Sequence, residues 1–244
     1  MNTNKLKLSI AHLYPKHLNL YGDRGNVITL VKRCEWRGIS VEFDEINIGD
    51  EIEGHDLYFI GGGQDKQQED VAQELYSHKD ELIAQRDDGA VFLGICGGYQ
   101  LFGHYYQPHD KDRLQGISLM DAYTVAGDKR FIGNVTVKTN FLTPNTLVGF
   151  ENHSGLTYLG EGVEALGVVS VGNGNNGKDG FEGARFKNVF GTYLHGSLLP
   201  KNPYFADYLI SLALEKRYGE KINLEPLDDT FEQEAHKSVV GKAY

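Results

Sequence analysis

A mostly parallel α/β sheet flanked by helices, with an antiparallel extension in the second half, is the fold this sequence predicts. Short apolar runs of strand character alternate with stretches of helical spacing through the first hundred residues. Two of those runs end in glycine-rich turns, at 61–63 and 94–98, and such turns sit at the carboxyl edge of a parallel sheet, where its sites lie. After about residue 115 short β-like runs dominate, and no Pro/Ser-rich linker separates the halves, which reads as an extension of the same sheet.

The elements follow in order. Leu6, Leu8 and Ile10 alternate in a first strand, and the polar turn Tyr14 to Asn26 follows. Val27, Leu30, Val31 and Cys34 share one helical face that ends at Gly38, which makes Cys34 a core residue. Residues 39–46 and 56–60 read as the next strands. A helical stretch through Val71, Leu75, Leu82 and Ile83 leads to a strand beginning at Val91. Further β-like runs cover 134–137, 146–150, 166–171 and 181–194, and helical spacing returns at 202–218. One domain over 5–218 is expected, followed by a loosely packed polar tail at 219–244.

Composition narrows the function. The chain has 244 residues, 40% of them hydrophobic, and a net charge of −10, which disfavours nucleic acid as a partner. Two cysteines and no ligand spacing suggest neither disulfides nor a metal site. The start of the chain lacks the apolar core of a signal peptide, and no run approaches the ~20 apolar residues of a membrane span. A cytoplasmic protein without membrane insertion is expected.

Val91-Phe-Leu-Gly-Ile-Cys96-Gly-Gly-Tyr-Gln100 places a thiol at a sharp strand-to-helix turn, where glycines let the backbone fold tightly. A helix N-terminus favours the thiolate, so Cys96 reads as a nucleophile rather than a packing residue. Such a thiol needs a basic partner. His195, ending a strand before Gly196, is the first candidate, and His153 is its rival. His12, His17, His55, His78, His104, His109 and His236 stand in polar or turn contexts and read as surface residues. The turn Gly61-Gly-Gly-Gln-Asp65 can offer amides to an oxyanion. Arg130, beside Lys129, is either a carboxylate partner or solvated surface. Gly172-Asn-Gly-Asn-Asn-Gly-Lys-Asp179 matches phosphate-loop expressions, but Asp179 stands where Ser or Thr belongs and a strand follows, so a hairpin loop is the better account.

Taken together, Gly-x-Cys-Gly-Gly-Tyr-Gln at 94–100, Phe-Glu-Asn-His-x-Gly at 150–155 and Gly-Thr-Tyr-Leu-His-Gly at 191–196 resemble the class I glutamine amidotransferases of the cobyric acid synthase type. Within that family the chain is similar to the GatD branch, the glutaminase subunits of lipid II isoglutaminyl synthase. Leu18-Asn-Leu-Tyr-Gly-Asp-Arg-Gly-Asn26 and Leu198-Leu-Pro-Lys-Asn202 carry the likeness further. The resemblance implies a flavodoxin-like fold and hydrolysis of L-glutamine. Cys96 would attack the side-chain amide, His195 would protonate the ammonia, and amides of Gly63 and Gly97 would hold the oxyanion. Arg130 would meet the glutamine carboxylate, while Gln100, Glu151, Asn152 and His153 would line the pocket.

The resemblance also implies a heterodimer with a MurT-like Mur-ligase synthetase. This partner would hold ATP and Mg, leaving no cofactor in this chain, and would bring lipid II. Many class I members carry His-x-Glu, whereas Ser197 stands two places after His195, so the orienting acid is expected from the partner. An amidotransferase of cobyrinate amidation, a thiol hydrolase and a non-catalytic module of the same fold are the alternatives.

Overall fold

The computed structural model describes residues 6–63 and 65–242. Lys5 at the start of the expected domain, Gln64 in the glycine turn and the last two residues of the tail lie outside it. The first sheet is built from β1 (Lys7–Leu13), β2 (Ser40–Ile46), β3 (Leu57–Ile60), β4 (Val91–Ile95), β11 (Ala184–Phe186) and β12 (Val189–Thr192). Across the sheet these strands run in the order β11-β12-β4-β3-β1-β2. All pairings in it are parallel except β11 with β12.

Alternation along the strands builds two cores. Leu8, Ile10, Leu93 and Ile95 pack with Val27, Leu30 and Cys34 of α1 (Arg24–Glu35) on one face. Ala11, Leu13, Tyr58 and Phe92 pack on the other face with Val71 and Leu75 of α2 (Asp65–Ser77), Leu82 of α3 (Lys79–Asp87) and Tyr99 of α4 (Gly97–Phe102). The single helical stretch expected around Val71 to Ile83 is therefore two helices, which meet at His78. Burying each large apolar side chain contributes roughly 1.5–3 kcal/mol, so this two-faced burial is the main force holding the sheet.

The strands of the second half gather into a sheet of their own, antiparallel except where β5 runs parallel to β7. It contains β5 (Tyr105–Gln107), β6 (Leu114–Gln115), β7 (Ala122–Lys138), β8 (Thr146–Leu159), β9 (Gly167–Val171) and β10 (Phe181–Glu182). Two isolated antiparallel bridges, Phe150 with His195 and Glu164 with Arg185, join it to the first sheet in place of a continuous ladder. Val135, Val137 and Leu147 nonetheless pack into the same core as β1 and β4. β7 is far longer than the expected 134–137, because its pairing with β8 is interrupted between Ala126 and Phe131. The polar residues 127–130 bulge out there and hide the strand's alternation.

The stretch expected as a loose tail is tied down. After α5 (Pro203–Tyr218) the chain returns to form α6 (Thr230–Val239). Buried Arg33 pairs with Asp207 of α5 and with Asp229 at the start of α6, each at 2.6 Å. His236 Nδ1 lies 2.9 Å from the carbonyl of Lys201. Three histidines expected at the surface are buried: His12 inside β1, His55 against Asp44, and His236. Their sequence surroundings are polar, but strand packing and the returning tail cover them.

Candidate active site

Cys96 leaves β4 and enters α4 with φ +51° and ψ −104°, a region costing a non-glycine residue about 1–3 kcal/mol. Two close approaches hold it there. A Cβ on Gly98 would stand 2.6 Å from the carbonyl oxygen of Ile60, and one on Gly94 2.7 Å from the Phe102 ring. Only glycine lets α4 pack this tightly on β3 and β4, which explains the Gly-x-Cys-Gly-Gly pattern.

His195 follows β12, the strand beside β4. The second sheet fixes its backbone: its N–H donates to the Phe150 carbonyl at 2.8 Å, and the Phe150 N–H donates back at 3.2 Å. Buried Glu182 accepts from the Tyr193 N–H at 2.7 Å and from the Thr192 hydroxyl, which anchors the approach to His195. Burial pushes the Glu182 carboxyl up to about 7 against the pull of those donors.

The imidazole meets an acid of this same chain. Asp23, fully buried ahead of α1, places Oδ1 3.5 Å from His195 Nδ1, while its Oδ2 accepts the Gly62 N–H at 2.7 Å. With Nδ1 turned to Asp23, Nε2 is the nitrogen available to Cys96. Burial alone would lower the His195 pKa, but negative charge on Cys96 and Asp23 outweighs it and lifts the value to about 10. This corrects the expectation that a partner must supply the orienting acid. Ser197 acts on the backbone instead, its hydroxyl donating to the Gly22 carbonyl at 2.6 Å and bracing the turn that carries Asp23. Asp23 and His195 are distant in sequence, and only the Leu18 to Asn26 likeness marked the segment.

A cavity of about 430 Å³ opens over Cys96 and His195, lined also by Gly63, Gln100, Arg130, Asn152 and His153. The amides of Gly62 and Gly98 are committed to Asp23 and to the Gly61 carbonyl. Those of Gly63 and Gly97 meet nearby, since a Cβ on Gly97 would stand 3.2 Å from the Gly63 nitrogen. Arg130 reaches the cavity from the β7 bulge and donates to Asn152 Oδ1 at 3.3 Å.

His153 cannot rival His195 as base. Its Nδ1 lies 2.9 Å from the Gly155 carbonyl and must carry the proton, its ring stacks on Tyr193 at 3.5 Å, and burial pushes its pKa down to about 3. Glu151 is a further correction. It does not line the cavity, because its carboxylate accepts from the backbone of Asn173 and Gly174 and from the Asn173 side chain. The loop that resembles a phosphate loop thus holds a carboxylate of its own chain. Sequence reasoning missed Gln68, Tyr106, Lys66 and Lys111, which also line it. Each lies in a polar stretch with no pattern to single it out.

A thiol beside an imidazole paired with a carboxylate can attack an acyl carbon, and the neighbouring amides can take up the oxyanion. Residues 9–203 match the CobB/CobQ-like glutamine amidotransferase domain, and the chain belongs to that family of enzymes. The particular likeness is to two GatD subunits of lipid II isoglutaminyl synthase (glutamine-hydrolyzing). The chain is 40% identical to that of Staphylococcus aureus, over 97% of this chain and 96% of the relative. It is also 40% identical to that of Streptococcus pneumoniae, over 93% and 88%. A probable cobyric acid synthase of Methanococcus maripaludis is 33% identical over 76% of this chain, which spans 38% of that relative. A crystal structure of a glutamine amidotransferase shares the fold with a TM-score of 0.60 at 18% identity, covering 83% of this chain and 98% of the other.

Proposed function

We propose that this chain is the glutaminase subunit of a lipid II isoglutaminyl synthase. It would hydrolyse L-glutamine and pass ammonia to a MurT-like, ATP- and Mg-dependent synthetase that amidates the D-glutamate of the stem peptide. The observation that carries the chemistry is Cys96 at its strained turn with His195 and Asp23 behind it. The acceptor is drawn from the two GatD relatives, matched along nearly their whole length.

In this reading Arg130 and Asn152 hold the glutamine carboxylate and Gln100 the side chain. Cys96 Sγ attacks the amide carbon, and the oxyanion settles on the Gly63 and Gly97 amides. The His195 imidazolium, oriented by Asp23, gives its proton to the departing nitrogen, so ammonia leaves and a thioester remains. His195, now neutral, takes a proton from water as it attacks the thioester; glutamate departs and the thiol is restored. In this reading the work takes place in the cytoplasm. Among the described residues no helix is long and apolar enough to cross a membrane.

The test uses the chain copurified with the synthetase, following glutamate release and lipid II amidation with ATP and Mg. Cys96→Ala is expected to abolish both when glutamine is the donor, while added ammonium restores amidation. Amidation from glutamine by Cys96→Ala would break the proposal.

A further inference from the structure

Beneath the cavity, buried polar side chains from both sheets form one continuous path. Gln68 of α2 donates from Nε2 to the Gly97 carbonyl at 3.2 Å and to Gln100 Oε1 at 2.8 Å. Gln100 Nε2 donates to the Tyr193 hydroxyl at 3.1 Å. That hydroxyl lies 2.7 Å from Thr157 Oγ1, itself 2.7 Å from Thr124 Oγ1. All five side chains are buried, Gln100 the least so at 6% exposure.

The direction of this path follows from one group. A backbone carbonyl can only accept, so the Gln68 atom facing Gly97 is the amide nitrogen. Its second hydrogen then makes the facing atom of Gln100 the oxygen, and Gln100 must turn its nitrogen to Tyr193. Gln100 Nε2 cannot accept, so the Tyr193 hydroxyl hydrogen is left to face Thr157, whose hydroxyl in turn faces that of Thr124. One nitrogen hydrogen of Gln100 is left for the cavity that its side chain lines. A Cβ on Gly155 would stand 2.3 Å from that nitrogen and 2.9 Å from the Tyr193 hydroxyl, so only glycine lets the strand approach the pair this closely.

We infer that Gln68 and Tyr193 are positioning residues for glutamine hydrolysis, acting through a hydrogen-bond relay, polarised by the Gly97 carbonyl, that makes Gln100 present an N–H donor to the substrate. The inference rests on the glutaminase reading above. It ties substrate recognition to the residue that follows the nucleophile, because Gly97 supplies both an oxyanion amide and the carbonyl that orients the relay.

The test measures alkylation of Cys96 in the full chain by 6-diazo-5-oxo-L-norleucine, a glutamine analogue whose diazoketone traps the thiol, as a function of its concentration. Gln68→Met keeps the length without the donor, and Tyr193→Phe keeps the ring stacked on His153. Each is expected to raise the half-saturating concentration roughly tenfold, with the limiting rate within about twofold of the parent. Thermal midpoints identify any variant that fails to fold, and Thr157→Val interrupts the relay independently. Because the relay acts as a unit, the double variant Gln68→Met with Tyr193→Phe should also lose only roughly tenfold; independent residues would lose about a hundredfold. Unchanged half-saturation in the single variants, or a multiplicative loss in the double, overturns the relay while leaving glutaminase chemistry intact. Failure of the parent chain to be alkylated at Cys96 overturns the glutaminase reading itself.

Discussion

The two cysteines of this chain carry the same thiol and share almost nothing else. Cys34 lies on the inner face of α1 among Val27 and Leu30, fully buried, and burial pushes its pKa up to about 12. Cys96 sits at a left-handed backbone position on the cavity wall, where His195 and Asp23 bring charge to it. Reactivity in this fold is set by where the backbone puts the sulfur and what faces it. A helical face packs Cys34 into the apolar core, whereas the turn between β4 and α4 sets Cys96 at the meeting of two sheets.

Replacing the nucleophile should break the contrast most sharply. Cys96→Ala is expected to lower glutamine hydrolysis by at least about 10³-fold, measured as glutamate release. Removing the acid behind the imidazole comes next: Asp23→Asn should cost about 10²–10⁴-fold in kcat. Its pH profile separates orientation from mere packing. In the parent, His195 is held above its unfolded value of 6.5, so its pairing stabilises the fold fully below that pH and is lost as pH rises through about 10. The alkaline limb of activity should lie near there, and Asp23→Asn should move it to lower pH because negative charge is lost. An unmoved limb would remove Asp23 from the mechanism.

Smaller effects sharpen the other side of the comparison. Iodoacetamide at neutral pH should label Cys96 in the native chain and reach Cys34 only after unfolding, as read by mass spectrometry of peptides. Cys34→Ser should leave hydrolysis unchanged and destabilise the fold by about 1–3 kcal/mol in urea titration, since the hydroxyl would be buried among apolar groups. Comparable activity losses in Cys34→Ser and Cys96→Ala would end the distinction between the two thiols.

Much of this contrast was legible in the chain. Helical spacing assigns Cys34 to a core, and the glycines around Cys96 announce a strand-to-helix turn, because each leaves a local pattern. His195 was legible for a similar reason, standing at a strand end before a glycine. Asp23 was not, because an aspartate in a polar turn looks like any solvated loop residue until β3 and β12 close over it. Glu151 looked like a pocket residue from its neighbours Asn152 and His153, yet the Asn173–Gly174 loop, more than twenty residues on, takes up its carboxylate. The antiparallel character of the second half was also visible, but whether those strands extend one sheet or build another depends on edge pairing, which no local pattern encodes.

By itself, then, the sequence determined what local rules can write: the alternation of strands and helices, the core thiol and the nucleophile, the glycines of the turn, and the family motifs. Tertiary structure decided which distant groups meet. It set Asp23 behind His195, clamped His195 to Phe150, turned Glu151 away to its loop and brought Gln68 under Gln100. Periodicity and turn chemistry act over a few residues, whereas burying and pairing a charge requires segments that only the packed fold brings within a few ångströms.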